Sequence, residues 1–233
     1  MARRGDLNGW WRFGVVVVGF LARLVFRIRV AGSERVPAAG PAILACNHVS
    51  ALDGLALAFV TGKHARRMTR FLVAAEFFEK ATVGWGLRLY RQIPLDRGKA
   101  DAGALDEAVE TIRSGAVAGI FPEGKVNADP EGGLQRGRRG VGRIALATGA
   151  PVVPVGIWGT QDRWPKAGLH YRRPWRRTFA VVYGDPIEPR GEAGSVDDVQ
   201  VFTDLAMTGI AKQAAEARTL ATAGAAPPAS PQR

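Results

Sequence analysis

The residues best placed to do chemistry are Asn47-His48-Val49-Ser50-Ala51-Leu52-Asp53, a histidine five positions before an aspartate. They follow the apolar run Ala42-Ile43-Leu44-Ala45-Cys46, which reads as a buried strand, and Leu55-Ala56-Leu57-Ala58 reads as the start of a helix. Imidazole takes up a proton near neutral pH, and a carboxylate behind it fixes its tautomer and steadies the imidazolium. That is the chemistry of a general base, and it needs no serine or cysteine if the substrate brings its own nucleophile. On a regular helix, residues five apart differ by about 140° and do not share a face. His48 and Asp53 therefore meet only if His48 lies on the loop and Asp53 in the first helical turn. Alone, the spacing also fits an ordinary helix start.

Three further segments combine a strand end with a reactive or shape-giving residue. In Arg91-Gln92-Ile93-Pro94-Leu95-Asp96-Arg97-Gly98 a guanidinium projects from a turn, a group suited to bidentate phosphate recognition. The plain alternative is a surface Arg97 paired with Asp96. In Gly119-Ile120-Phe121-Pro122-Glu123-Gly124-Lys125, Pro122 forces an extended exit from the strand and Gly124 lets backbone approach a ligand. A carboxylate there can accept substrate hydroxyl bonds or organise a nearby arginine, although Pro-Glu-Gly is also a common turn. Pro151-Val152-Val153-Pro154-Val155-Gly156 reads as a strand with one edge incompletely paired, or as a plain core strand. Gly137-Arg138-Arg139-Gly140-Val141-Gly142 is glycine-rich but follows no strand, which excludes a dinucleotide fingerprint.

The elements that must hold these residues alternate. Strand-like runs fall at Ala42–Cys46, Phe71–Ala74, Gln92–Leu95, Val117–Phe121, Val152–Ile157 and Thr178–Tyr183. Helical periodicity falls at Asp101–Ser114, where Leu105, Ala108, Val109 and Ile112 recur and Gly115 stops the pattern, at Val141–Thr148, and over Val196–Leu220. This alternation predicts an α/β single domain, a mainly parallel central sheet flanked by helices. No internal repeat and no second domain is evident. The expected organisation is an N-terminal membrane-associating helical segment over residues 1–29, a catalytic domain over 30–220, and a disordered Ala/Pro/Ser-rich tail over 221–233.

At 233 residues the chain is long enough for one large core. Its single cysteine, Cys46, excludes an internal disulfide and any cysteine metal cluster, so no metal site is expected. In its strand it reads as a small buried apolar residue. The net charge of +11 points to anionic partners. Six arginines fall within residues 1–29, where Trp10, Trp11 and Phe13 precede the run Gly14–Ala22 and Leu24-Val25-Phe26. The run over residues 13–26 is short for a membrane span, which needs about 20 apolar residues. It reads as a helix lying in the membrane interface, on an anionic surface, with a buried core helix as the plain alternative. No small-residue cleavage site follows it, so it is not read as a secretory leader. A nucleic-acid binder is the last-ranked use of the charge, because the basic residues cluster as much around the apolar N-terminus as elsewhere; no nucleic acid is expected.

Asn47-His48 with Asp53, Asp96-Arg97, Phe121-Pro122-Glu123-Gly124 and Val153-Pro154-Val155 together resemble the four ordered blocks of the PlsC-like glycerolipid acyltransferase family, the 1-acyl-sn-glycerol-3-phosphate acyltransferases. The resemblance covers roughly residues 40–160 and extends to the N-terminal helix. It implies that His48 is the general base, oriented by Asp53, acting on the free hydroxyl of a lysophospholipid. It implies an acyl thioester donor, acyl-CoA or acyl carrier protein, with no bound cofactor and no metal. It implies a substrate phosphate held by Arg97 with Glu123, Gly124 and Lys125, and a pocket shaped by Asn47, Pro122 and Pro154. It implies a place on the cytoplasmic face of a membrane. The family's third block usually continues Thr-Arg-Ser, whereas this chain has Lys125-Val126-Asn127. The default acceptor is 1-acyl-sn-glycerol-3-phosphate, giving phosphatidic acid; a different hydroxylated polar lipid, or a non-catalytic lipid-binding module on the same fold, are the alternatives.

Overall fold

A computed structural model describes residues 9–95, 105–169 and 176–223. Among them, seven strands form one sheet: β1 (Phe26–Ala31), β2 (Ala42–Cys46), β3 (Thr69–Ala74), β4 (Ile93–Leu95), β5 (Val117–Ile120), β6 (Val152–Trp158) and β7 (Arg177–Tyr183). Their order is β1-β7-β6-β2-β5-β3-β4, and every pairing is parallel except β6 with β7. β2 sits at the centre with all five residues buried. A parallel strand covered on both faces reads as an unbroken apolar run, which is why Ala42–Cys46 is recognisable.

Six helices cover the sheet: α1 (Gly9–Val25), α2 (Asp53–His64), α3 (Ala81–Leu89), α4 (Asp106–Arg113), α5 (Gly140–Thr148) and α6 (Val196–Thr222). Leu57, Phe59 and Val60 of α2, with Val15, Val18 and Val25 of α1, pack on one face around Leu44, Val153 and Phe179. Ile112 of α4, Val141 and Ile144 of α5, and Phe202 and Ile210 of α6 pack on the other around Ile43, Ala118 and Val152. The mainly parallel α/β sandwich is thus the observed fold.

Two expectations about element limits need correction, and a third falls partly outside the described residues. The N-terminal segment does not extend to residue 29, because β1 begins at Phe26, buries that ring and pairs with β7 from Phe26–Arg177 onward. Helix α6 runs to Thr222, two residues beyond Leu220, because Ala221 is buried with Trp158 and Ala217; the remaining tail, 224–233, lies outside the described residues. The helix expected from Asp101 is described only from Asp106, since 96–104 also lie outside.

α1 has one inward face and one exposed apolar face. Trp11 and Gly19 face inward, with Trp11 edge-on to Tyr90 at 5.5 Å and Gly19 against the Phe59 ring. Trp10, Phe13, Val16, Phe20, Leu21 and Leu24 stand exposed on the opposite side. Among the described residues, no helix is long and apolar enough to cross a membrane.

Candidate active site

The C-terminal ends of β2 and β5 lie side by side, and their loops build the site. His48 follows β2 on a loop and Asp53 opens α2, the arrangement the five-residue spacing requires. His48 Nδ1 lies 2.9 Å from Asp53 Oδ2. The Asp53 side chain is wholly buried and the His48 side chain is 18% exposed. The carboxylate is held from all sides. Oδ2 also accepts the amides of Val49 at 2.7 Å and Ser50 at 2.8 Å, and Oδ1 accepts the Thr160 hydroxyl at 2.6 Å. A buried charge needs such compensation, and here the bonds also aim Oδ2 at the ring.

The imidazole is fixed from beneath as well. It stacks on Phe121 with centroids 4.1 Å apart and planes 18° apart, and Phe121 stacks on Phe71 at 5.7 Å. Gly119 makes room for this stack, since a Cβ there would lie 2.6 Å or less from Phe71 ring atoms. With Nδ1 turned to Asp53, Nε2 is the ring nitrogen left for a substrate. His48 lines a 790 Å³ cavity whose walls are mostly apolar: Val15 and Val18 of α1, Leu55 and Phe59 of α2, Val83 and Leu87 of α3. Buried Cys46 has its thiol pushed well above the usual range, first by burial and then by Asp53 and Glu123, so it stays neutral and serves packing.

The other expected site residues divide. Asn47 is buried and bonds both ways to the Ile157 backbone, donating to O at 3.0 Å and accepting from N at 2.8 Å, so it ties β2 to β6. It shapes the His48 loop rather than the cavity wall. Pro122 does line the cavity. Glu123 is buried and its carboxylate faces the backbone: Oε1 accepts the His48 amide at 2.8 Å and Oε2 the Gln135 amide at 2.9 Å. Its carboxylate is a brace between the His48 loop and the segment before α5. Gly124 has φ +71°, and its missing Cβ leaves the space crossed by the Arg138 side chain, whose Nε would lie 2.6 Å from that atom. Lys125 is exposed and lines a separate 490 Å³ groove with Arg136, Arg138 and Arg139. Arg97 lies outside the described residues.

Pro154 does not shape the cavity. It lies in β6 opposite Ala45 of β2, and its ring packs toward Gly184 and Gly209 of α6. The expectation of an interrupted edge has a local cause: Pro154 falls between the isolated Val152–Ile187 bridge and the β7 ladder that starts at Val155–Tyr183. A residue without an N–H fits that gap. The sequence reading missed Thr160, Phe121 and Asn127, whose amide donates to the His48 carbonyl at 2.7 Å. Only Phe121 had a signal, the aromatic at the end of its strand.

A family model described as Acyltransferase matches residues 27–158. An uncharacterized protein of Mycobacterium leprae is 32% identical over 190 residues, which cover 76% of this chain and 49% of that protein. A putative 1-acyl-sn-glycerol-3-phosphate acyltransferase of Caenorhabditis elegans is 29% identical over 76% of this chain and 60% of its own length. The chain therefore spans about half the length of the curated relatives it matches. The crystal structure of the 1-acyl-sn-glycerophosphate acyltransferase PlsC from Thermotoga maritima is similar with a TM-score of 0.64 and 26% identity, covering 90% of this chain and 77% of that one. A histidine–aspartate pair at the C-terminal edge of this sheet, with a matched region that contains both residues, places the chain in an acyltransferase class. The chain belongs to the PlsC-like glycerolipid acyltransferase family.

Proposed function

We propose that the protein moves a fatty acyl group from a thioester, acyl-CoA or acyl carrier protein, to the free hydroxyl of a lysophospholipid, with 1-acyl-sn-glycerol-3-phosphate as the first acceptor to test. The observation that carries this reading is the His48–Asp53 pair on the wall of an apolar cavity, with Nε2 left for a substrate. Nε2 takes the proton of the acceptor hydroxyl as its oxygen attacks the thioester carbonyl. The C–O bond forms, the tetrahedral intermediate collapses, and the C–S bond breaks. The thiolate leaves and recovers the proton from the imidazolium, whose charge Asp53 balances. A positioned base contributes about 10²–10⁴-fold. Holding both substrates in one cavity contributes through orientation.

The names of the relatives support this acceptor, and the apolar cavity supports acyl chains. The exposed apolar residues of α1, together with Leu55, Phe77 and Val83, which stand exposed around the cavity, support peripheral attachment to the cytoplasmic face of an anionic membrane. In this reading Arg97 anchors the acceptor phosphate. The Lys125-Val126-Asn127 sequence favours one second acceptor class, a different hydroxylated polar lipid, because Asn127 is buried and bonded within its own turn to the Gly133 carbonyl at 2.7 Å. The test is a donor-by-acceptor screen with product mass measured. His48→Ala is expected to lower turnover by about 10²–10⁴-fold without loss of fold. Wild-type turnover in that variant overturns the mechanism.

A further inference from the structure

The two cavities differ in chemistry and in the elements that supply most of their walls. The apolar cavity is walled mainly by α1, α2 and α3, and α1 and α2 cover one face of the sheet. The 490 Å³ groove lies toward α5 and α6, which cover the other face; Gln200 of α6 and Arg139, at the start of α5, line it. Lys125, Arg136, Arg138 and Arg139 give it four cationic side chains. The one carboxylate among its lining residues, Glu123, is buried and accepts the backbone amides of His48 and Gln135, so cationic groups outnumber it four to one. Arg138 borders both cavities, and Glu123 links the groove to the His48 amide at 2.8 Å. A cationic groove and an apolar cavity thus meet at Arg138, and Glu123 braces the groove to the His48 loop.

We infer that this groove holds the phosphates of the acyl donor, with coenzyme A as its carrier, so that the donor enters from the α5–α6 side while the lipid acceptor enters beside α1. The inference rests on the acyl-transfer reading above and adds to it a donor class and a binding site. Coenzyme A carries a phosphomonoester and a diphosphate, roughly four negative charges at neutral pH. Four cationic side chains against one carboxylate leave the groove net positive, and guanidinium forks suit phosphate oxygens. A concave recess fits a nucleotide diphosphate better than it fits the convex surface of a carrier protein. The uncharged pantetheine arm would then cross the Gly124 turn, beside Arg138, to bring its thioester to His48.

The test uses the full chain and the double variant Arg136→Glu/Arg139→Glu, two exposed positions away from the catalytic loop. Titration calorimetry with free coenzyme A, and with pantetheine as the phosphate-free probe, reads binding independently of turnover. Affinity for coenzyme A is expected to fall at least tenfold in the variant, and in wild type to weaken as salt is raised. The preference in kcat/KM for acyl-CoA over acyl-pantetheine is expected to shrink by a similar factor, with KM for the lipid acceptor unmoved. Unchanged coenzyme A affinity overturns the inference. So does a rise confined to the acceptor KM, which would give the groove to the lipid headgroup, or a loss confined to acyl carrier protein donors. Groove-dependent binding of coenzyme A with no transfer to any acceptor would leave the inference standing and overturn the acyl-transfer reading. Transfer that is indifferent to the variant would do the reverse.

Discussion

Asp53 shows how one buried carboxylate can be committed to one task. It accepts two backbone amides and a hydroxyl besides facing His48, and each bond removes a direction in which it could swing. Thr160 supplies the bond farthest away in sequence, across 107 positions. Thr160→Val keeps the side-chain volume but leaves Oδ1 without that donor. The expected cost is about 1–3 kcal/mol of stability with a fall in kcat, and Thr160→Ser should restore both. Thermal melts beside steady-state rates check this; a Thr160→Val variant with wild-type kcat would remove Thr160 from the positioning of the pair. The same logic gives Glu123 a bracing role, since its carboxylate joins His48 to Gln135 through their amides.

At the scale of elements, α1 has one face for the protein and one for its surroundings. Trp11, Gly14 and Gly19 set how closely it approaches Tyr90 and Phe59, while Val16 (69% exposed) and Phe20 (63% exposed) face outward. Val16→Asp/Phe20→Asp should release the protein from anionic vesicles in a sedimentation assay while leaving Tm unchanged. Removing residues 1–29 should behave differently, because it also takes four residues of β1 and their pairing with β7, and Tm should drop. Equal Tm for the truncation and the intact chain would show that β1 is dispensable. The α6–β6 contact is as demanding in another way. Gly156 lies directly under the Gln213 backbone, where a Cβ would collide with main-chain atoms. Gly156→Ala is expected to cost about 3 kcal/mol or more, read by denaturant unfolding, because backbone cannot step aside as a side chain can.

At the scale of the whole molecule, the His48–Asp53 pair sits at the C-terminal edge of a sheet covered on both faces. Burial there has a consequence for pH. Cys46 and Tyr183 are both fully buried acids whose protonated forms are favoured, chiefly by desolvation, and Tyr183 is held in place by Thr61 at 2.8 Å. Unfolding lets them ionise in their ordinary ranges, so the unfolded chain binds fewer protons than the native one in alkali. Stability is therefore whole below about pH 9 and falls as pH rises above it. Cys46→Ala should flatten the first part of that fall, measured as Tm against pH from 7 to 11. A slope identical to wild type would mean that the thiol titrates alike in both states.

The sequence by itself determined the alternation of strands and helices, the burial of the Ala42–Cys46 strand and the need for His48 and Asp53 to straddle a strand–helix junction. These follow from local rules: apolar period, turn chemistry and the angle between residues on a helix. It also carried the family resemblance through four short blocks. It did not reveal that Glu123 is spent on backbone amides, that Pro154 packs on α6 away from the cavity, or that Thr160 holds Asp53. Those depend on which strands become neighbours, and the order β6-β2-β5 brings together residues separated by 75 and 107 positions. Local sequence sets what each element can be. Only the packing of the elements decides which side chains share a site, because a hydrogen bond or a cavity wall forms between surfaces that no short stretch of chain contains.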